Sequence, residues 1–274
     1  MKEALAAAVA LGFLTLSPPH STGQMPVLDK LCLGQQRATP DERIRACMII
    51  IDSTDVPLAR ARAFNNRASA YSAKGDFERA IQDYDEAIRL NPKDASFFNN
   101  RGLVYKAKGD LGRSLQSYDE AIRLNPQYAI ALDNRANAYL ARGDVERAIQ
   151  DYDEAIRVNP QDAGFFNNRC LARARADKLE AALADCNTSL RLLPHEANIL
   201  DSRGLVYLKL HRFADAIADY DAALRLDTKH ADALYGRGVA KQKQGDAAGA
   251  AADIAAAKAI QPKIEESFRS YGIR

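Results

Sequence analysis

The chain has 274 residues, of which 47% are hydrophobic, 27% charged and none tryptophan; 38 basic and 36 acidic side chains leave a formal net charge of +2. That balance excludes the global positive field of a nucleic-acid binder and the charge excess of an acidic tail. The length allows one large domain or two small ones with a sizeable core, and the dominance of Ala, Arg, Asp and Leu over β-branched residues favours packed helices.

Residues 1–23 read as a signal peptide. A lysine at position 2 precedes a thirteen-residue apolar run from Ala4 to Leu16, which suits a leader core and is too short to span a bilayer. Glu3 weakens the positive start, and a buried N-terminal helix is the alternative. Gln24 is the candidate mature N-terminus, and a periplasmic or secreted location is the expectation. No other segment is apolar enough to cross a membrane.

Residues 24–60 read as a helical hairpin. Thr39 can cap a helix, Pro40 suits its first turn and Glu42 completes a Thr-x-x-Glu box.

From Ala61 onward the chain repeats itself. "AIQDYDEAIRLNP" at Ala80, "SLQSYDEAIRLNP" at Ser114 and "AIQDYDEAIRVNP" at Ala148 are 34 residues apart, and the interval extends to six units starting at Ala61, Ala95, Ala129, Ala163, Ala197 and Ala231. These units cover residues 61–264. Each carries a helix-turn-helix pattern. In the first, Phe64, Ala68 and Tyr71 recur at helical spacing, Gly75 offers a left-handed C-cap, Asp76 can cap the next helix, and Asn91-Pro92 ends it. Small residues hold the eighth place (Ala68, Gly102, Ala136, Cys170, Gly204, Gly238), where they let antiparallel helices pack closely.

With its eighth-place small residues, recurrent tyrosines and unit-ending prolines, the pattern resembles the tetratricopeptide repeat family of bacterial exported type. The resemblance implies an all-α, right-handed α-solenoid. One departure is systematic: arginine replaces the family's leucine in every unit, at Arg67, Arg101, Arg135, Arg169, Arg203 and Arg237. Opposite them across the hairpins the pattern places Asp83, Asp151, Asp185, Asp219 and Asp253, where structural ion pairs are the expectation, while the second unit has Ser117 instead. Asp85 and Arg89, with their counterparts Asp119 and Arg123, Asp153 and Arg157, and Asp221 and Arg225, stand four apart and are expected to pair on the helix surface. Residues 265–274 are expected to cap the last repeat's exposed face.

Four cysteines allow three pairings. Cys170 and Cys186 occupy places eight and twenty-four of unit four, which face each other across a hairpin, and Cys32 and Cys47 flank the turn at Thr39-Pro40 in the same way. This geometry selects the disulfides Cys32–Cys47 and Cys170–Cys186; buried inert thiols are the alternative. His195, His211 and His230 fall at turns and unit ends, none placed to serve both a thiol and a carboxylate. Neither a metal-spaced cluster nor a phosphate loop is present, so the reading is a non-catalytic protein without cofactor or metal.

Family resemblance places ligand contacts on the first helices, at the second, fifth, sixth, ninth, twelfth and thirteenth places. The candidate groove residues are Asn65, Asn66, Ser69, Asn99, Asn100, Lys106, Asn134, Asn137, Asn167, Asn168, Arg175, Asp201 and Lys209. Asparagine both donates and accepts, so a ladder of them can hold an extended backbone without demanding a particular sequence. Solvated polar residues multiplied by repeat copying are the alternative. The groove suits a protein or peptide partner better than a nucleic acid, which would need a basic stripe with stacking aromatics. The sequence is therefore read as an interaction scaffold or adaptor of the bacterial cell envelope; the second reading is a regulatory or substrate-presenting subunit of an envelope enzyme.

Overall fold

The computed structural model describes residues 25–35 and 38–273; the expected signal peptide lies outside them. Among the described residues there are fifteen helices and no strand. An N-terminal pair, α1 (Met25–Cys32) and α2 (Pro40–Ser53), precedes six hairpins. The first helices of those hairpins are α3 (Pro57–Ala73), α5 (Ala95–Ala107), α7 (Ala129–Arg142), α9 (Ala163–Arg175), α11 (Ala197–Lys209) and α13 (Ala231–Lys243). The second helices are α4 (Phe77–Leu90), α6 (Leu111–Leu124), α8 (Val145–Val158), α10 (Leu179–Leu192), α12 (Phe213–Leu226) and α14 (Ala247–Ile260), and a short α15 (Ile264–Arg269) closes the chain. In the six hairpins each helix packs most extensively on its partner, and the second helices α4 to α12 pack next on the first helix of the following unit, the arrangement of an all-α solenoid.

The turns form as their residues dictate. Gly75, Gly109, Gly143 and Gly245 take φ between 78° and 90°, the left-handed region open to glycine. Asp76, Asp110 and Asp246 then accept the backbone N–H of Arg79, Arg113 and Gly249 at 3.2, 2.9 and 2.9 Å. Units four and five lack the glycine, and Asp177 and His211 are held at φ 55° and 58° instead. The capping box at Thr39 and Glu42 is present. Unit one begins earlier than its repeat boundary, because Pro57 starts α3 four residues before Ala61 with its fixed φ suited to a first turn.

The core is built from tyrosines set beneath small residues. Tyr118, Tyr152 and Tyr220 are fully buried. A Cβ on Gly102 would lie 2.6 Å from the Tyr118 ring, and one on Gly204 would lie 2.8 Å from Tyr220, so glycine is what admits the ring. In unit four Cys170 and Cys186 take these two places and are bonded, with Cα atoms 5.5 Å apart; Cys32 and Cys47 are bonded with Cα atoms 4.9 Å apart. Both disulfides are buried.

Arginine at place seven forks into the opposite helix as expected. Arg135 donates to both oxygens of Asp151 at 2.8 and 2.7 Å, and Arg67, Arg169, Arg203 and Arg237 bind Asp83, Asp185, Asp219 and Asp253 in the same bidentate way. The third guanidinium nitrogen reaches back to the preceding unit: Arg101 to Asp85 (2.6 Å), Arg135 to Asp119 (2.7 Å), Arg169 to Asp153 (2.7 Å), Arg203 to Asn187 (2.9 Å) and Arg237 to Asp221 (2.7 Å). The expected pairing of these aspartates with arginines four residues on is corrected. Arg89, Arg123 and Arg157 bind Glu86, Glu120 and Glu154 three residues before them, while the short aspartate meets a partly buried fork on the neighbouring unit.

The terminal segments depart from expectation in opposite senses. The N-terminal hairpin stacks in register with the array: Asn66 Nδ2 lies 3.9 Å from Cys32 Sγ, 34 residues earlier, and Ile44 joins the buried cluster of Ala68, Tyr71 and Tyr84. The C-terminal segment covers the last repeat only in part. Ile264 and Phe268 are buried, but Phe268 sets its ring 4.7 Å from that of Tyr235 on α13, and the chain then turns at Gly272 (φ 79°). The outward face of α14 carries Ala251 and Ala255, which offer apolar aromatic side chains little area to cover.

Candidate functional site

The first helices bring their fifth and sixth residues into one continuous row, and the row bonds to itself. Asn100 Nδ2 donates to Asn65 Oδ1 at 3.1 Å, Asn134 to Asn99 at 2.9 Å and Asn168 to Asp133 at 2.8 Å, so each sixth place donates to the fifth place of the unit before. Within units one and two, Asn65 and Asn99 donate to Asn66 and Asn100 at 3.2 Å. Asn99 is 3% exposed with its donor and acceptor both engaged. The structure thus gathers the predicted asparagines but turns several of them inward, as mortar between units.

The ninth places serve the core in the same way. Ser69 meets the Tyr84 hydroxyl at 2.9 Å, and Asn137 Oδ1 accepts from the Tyr152 hydroxyl at 3.1 Å. Units two and five carry Leu103 and Leu205 there, and the hydroxyls of Tyr118 and Tyr220 are left without a partner among the described residues. Burial pushes the Tyr118 hydroxyl up to about 12, with a weaker opposing effect from Ser114. Leu103 is 41% exposed and Ile130, at the second place of unit three, 55%. Lys106, one turn on from Leu103, is half-buried; desolvation pulls its ammonium down and the Asp133 carboxylate opposes that pull.

The row ends at unit four, for a reason legible in side-chain length. Asn167 Oδ1 would accept from the sixth place of unit five, but that residue is Ser202, whose hydroxyl turns back to the Asn198 carbonyl at 2.8 Å. Asp201 Oδ1 would accept from the sixth place of unit six, which is Gly236 and has no side chain. Both oxygens are buried without a hydrogen-bond partner among the described residues. Burial raises the Asp201 carboxyl well above the usual aspartate value, and the Asp232 charge adds to it.

Two predicted groove cations have other employment. The side chain of Lys209 is 9% exposed and its ammonium binds Asp177 at 2.7 Å, bracing the strained turn of unit four. Arg175 places its guanidinium 4.7 Å from the centre of the Tyr271 ring, which belongs to the C-terminal tail. Among the described residues no group of three or more His, Cys, Asp or Glu is placed to hold a metal, and no helix is long and apolar enough to cross a membrane.

Stacked helical hairpins locked by buried forks, with a polar row along their first helices, define a solenoid scaffold that presents a surface. The tetratricopeptide repeat model matches residues 68–109, 104–143, 136–177 and 204–245, more than half of the chain, and the chain belongs to that family. The unmatched stretch 178–203 contains α10, where Cys186 replaces the repeat's tyrosine. No curated protein matches the sequence. Among solved structures, a tetratricopeptide repeat protein from Parabacteroides merdae aligns with a TM-score of 0.69 at 18% identity, over 91% of this chain and 99% of its own. Pseudomonas aeruginosa pilF aligns with 0.64 at 19% identity, over 77% and 96%. YrrB, a tetratricopeptide repeat protein with an unusual peptide-binding site, aligns with 0.52 at 21% identity, over 68% and 97%. At these identities the likeness is one of fold.

Proposed function

We propose that the chain is an exported scaffold of the bacterial envelope that takes a peptide segment of a partner protein into the groove of its first helices, without chemistry of its own. One observation carries the reading: on the neighbouring first helices of units two and three, Leu103 and Ile130 stand exposed at ninth and second places, and Lys106, one turn on from Leu103, is half-buried. The asparagine row supports it as a rigid wall that fixes the spacing of those residues from unit to unit. Two buried disulfides, together with the leader-like residues 1–23, support an oxidising compartment. Residues 24–60, 61–264 and 265–274 then act as N-terminal hairpin, repeat array and tail.

The test is selection of binding peptides from a random displayed library against the purified chain. Affinities are then compared with the full-length variants Leu103→Asp and Ile130→Asp. Both side chains are solvent-exposed, so the helical signal and disulfides should persist while affinity falls tenfold or more. Unchanged affinity in both folded variants refutes the groove reading and moves the contact to the second helices.

A further inference from the structure

The far half of the groove differs from the near half in being filled. Tyr271 lies over Arg175, a residue of unit four, although its own helix α15 follows unit six. Its ring packs against two buried clusters, one containing Cys170, Cys186 and Val206 and the other Leu205, Leu208 and Leu234. Ile273 and Gly272 line a cavity of about 320 Å³ with Leu208, Val239 and Lys243. The tail thus runs back across the first helices of units six and five to reach the end of the one in unit four.

Its attachment is by side chains alone. The backbone N–H groups of Ser270, Tyr271, Gly272 and Ile273 bond within the tail, to carbonyls of Glu266, Ser267, Phe268 and Arg269, at 2.9–3.3 Å. The units it crosses also hold polar groups that no neighbouring unit satisfies. Among the described residues seven buried side-chain atoms lack a hydrogen-bond partner, and four of them belong to units four and five: Asn167 Oδ1, Arg175 Nε, Asp201 Oδ1 and the Tyr220 hydroxyl. Buried polar atoms left unpaired cost free energy that an incoming donor recovers.

We propose that the concave face of units four to six is a recognition site for a segment carrying an aromatic side chain and hydrogen-bond donors, and that the chain's own residues 268–273 close it until such a segment displaces them. The aromatic is specified by Arg175 and Tyr235, which already hold Tyr271 and Phe268. The donors are specified by Asn167 and Asp201. The inference rests on the reading that this groove binds peptide, and adds which chemistry it takes and what guards it.

The experiment uses an acetylated synthetic peptide with the sequence of residues 263–274, "KIEESFRSYGIR", titrated by fluorescence anisotropy into the full-length chain. Tethering keeps the tail at an effective concentration of about 1 mM; against a free affinity of about 0.1 mM it weakens a competing peptide about tenfold. Tyr271→Ala and, separately, Ile273→Asp should open the site and bind the peptide about tenfold more tightly than wild type, while Tyr271→Phe stays closed. Adding Arg175→Ala to either opened variant should remove the gain. Ile273→Asp carries the test if Tyr271→Ala does not fold. Equal affinity of wild type and opened variants, or a gain that survives Arg175→Ala, overturns the proposal. Light scattering that shows wild type dimerising while Tyr271→Ala stays monomeric places the tail in a neighbour and also overturns closure in cis. Because Leu103 and Ile130 lie in other units and are probed with library peptides, failure of the groove reading and failure of this proposal are told apart.

Discussion

Replacing Arg135 by alanine should be among the most costly single changes in the array. Asp151 is 7% exposed and takes two charge-assisted hydrogen bonds from this one guanidinium, at 2.8 and 2.7 Å. Removing one partner of such a pair strands a buried carboxylate, at a cost of about 3–5 kcal/mol. The second partner, Asp119, has a side chain 54% exposed and returns to water, so it adds about 1 kcal/mol or less. Unit two supplies an internal control, because Arg101 faces Ser117 at 3.3 Å and reaches only the exposed Asp85. No buried carboxylate is orphaned by Arg101→Ala, and its loss should be about 1–2 kcal/mol. Urea unfolding followed by circular dichroism measures both, with native-state hydrogen exchange assigning the loss to units two to four should the array not unfold in one step. Equal destabilisation by the two alanine variants would refute the reasoning, since it would mean that the buried aspartate contributes nothing. The double variant Arg135→Met, Asp151→Leu should fall much closer to wild type than Arg135→Ala, because both charges leave together.

Other expectations concern the turns, the staples and the polar row. His211→Gly should raise stability by about 0.5–1 kcal/mol by relieving a left-handed conformation, while Asp177→Gly should gain less, since Asp177 also holds Lys209; equal gains in thermal unfolding would contradict this. Replacing Cys170 and Cys186 together by alanine should cost about 3 kcal/mol in the chain-entropy account, and alkylation followed by intact mass should find no free thiol without reductant. For Asp201 the sign follows from its raised folded-state value: the stability it contributes is complete below the ordinary aspartate range near 4 and is lost as pH rises through the folded-state value. Asp201→Asn should therefore stabilise the chain at pH 7 and change little at pH 3; a gain of the same size at both would count against an unpaired buried carboxylate.

Much of the fold was legible because a repeat states each local rule several times. The 34-residue interval, the Gly-Asp turns and the small eighth places each imply a hairpin, and the alignment of place seven with place twenty-three exposed the intra-unit forks before any coordinates. The same counting across the hairpin paired the cysteines. The backward reach of each arginine was missed, because a spacing of four on one helix offered Asp85 a nearer partner in sequence than Arg101, which is nearer in space. The candidate site was less legible. Chain position placed Asn99 and Asn100 on the first helices, yet whether an amide faces solvent or its neighbour depends on the length of the residue one unit away, as the contrast between Asn134 and Gly236 shows. Ile264, Phe268 and Tyr271 stand at helical spacing, but that spacing does not say which face of the array residues 268–273 cover. A signal was there in retrospect: Phe268 and Tyr271 stand beside each other on a segment whose expected seat, the outward face of α14, is alanine.

The forks have a bearing on how long such a protein can be. From Arg101 onward the two acceptors of each arginine lie sixteen residues ahead and sixteen behind, one in its own hairpin and one in the hairpin before, as with Asp151 and Asp119 about Arg135. Cutting out or duplicating one whole period inside the array leaves each guanidinium after the first unit still facing two acceptors, whereas losing or adding a single residue inside a unit breaks both bonds at that joint. The groove can therefore be lengthened or shortened only in steps of one unit, and its reach along a bound chain is quantised by the same side chains that hold the joints closed.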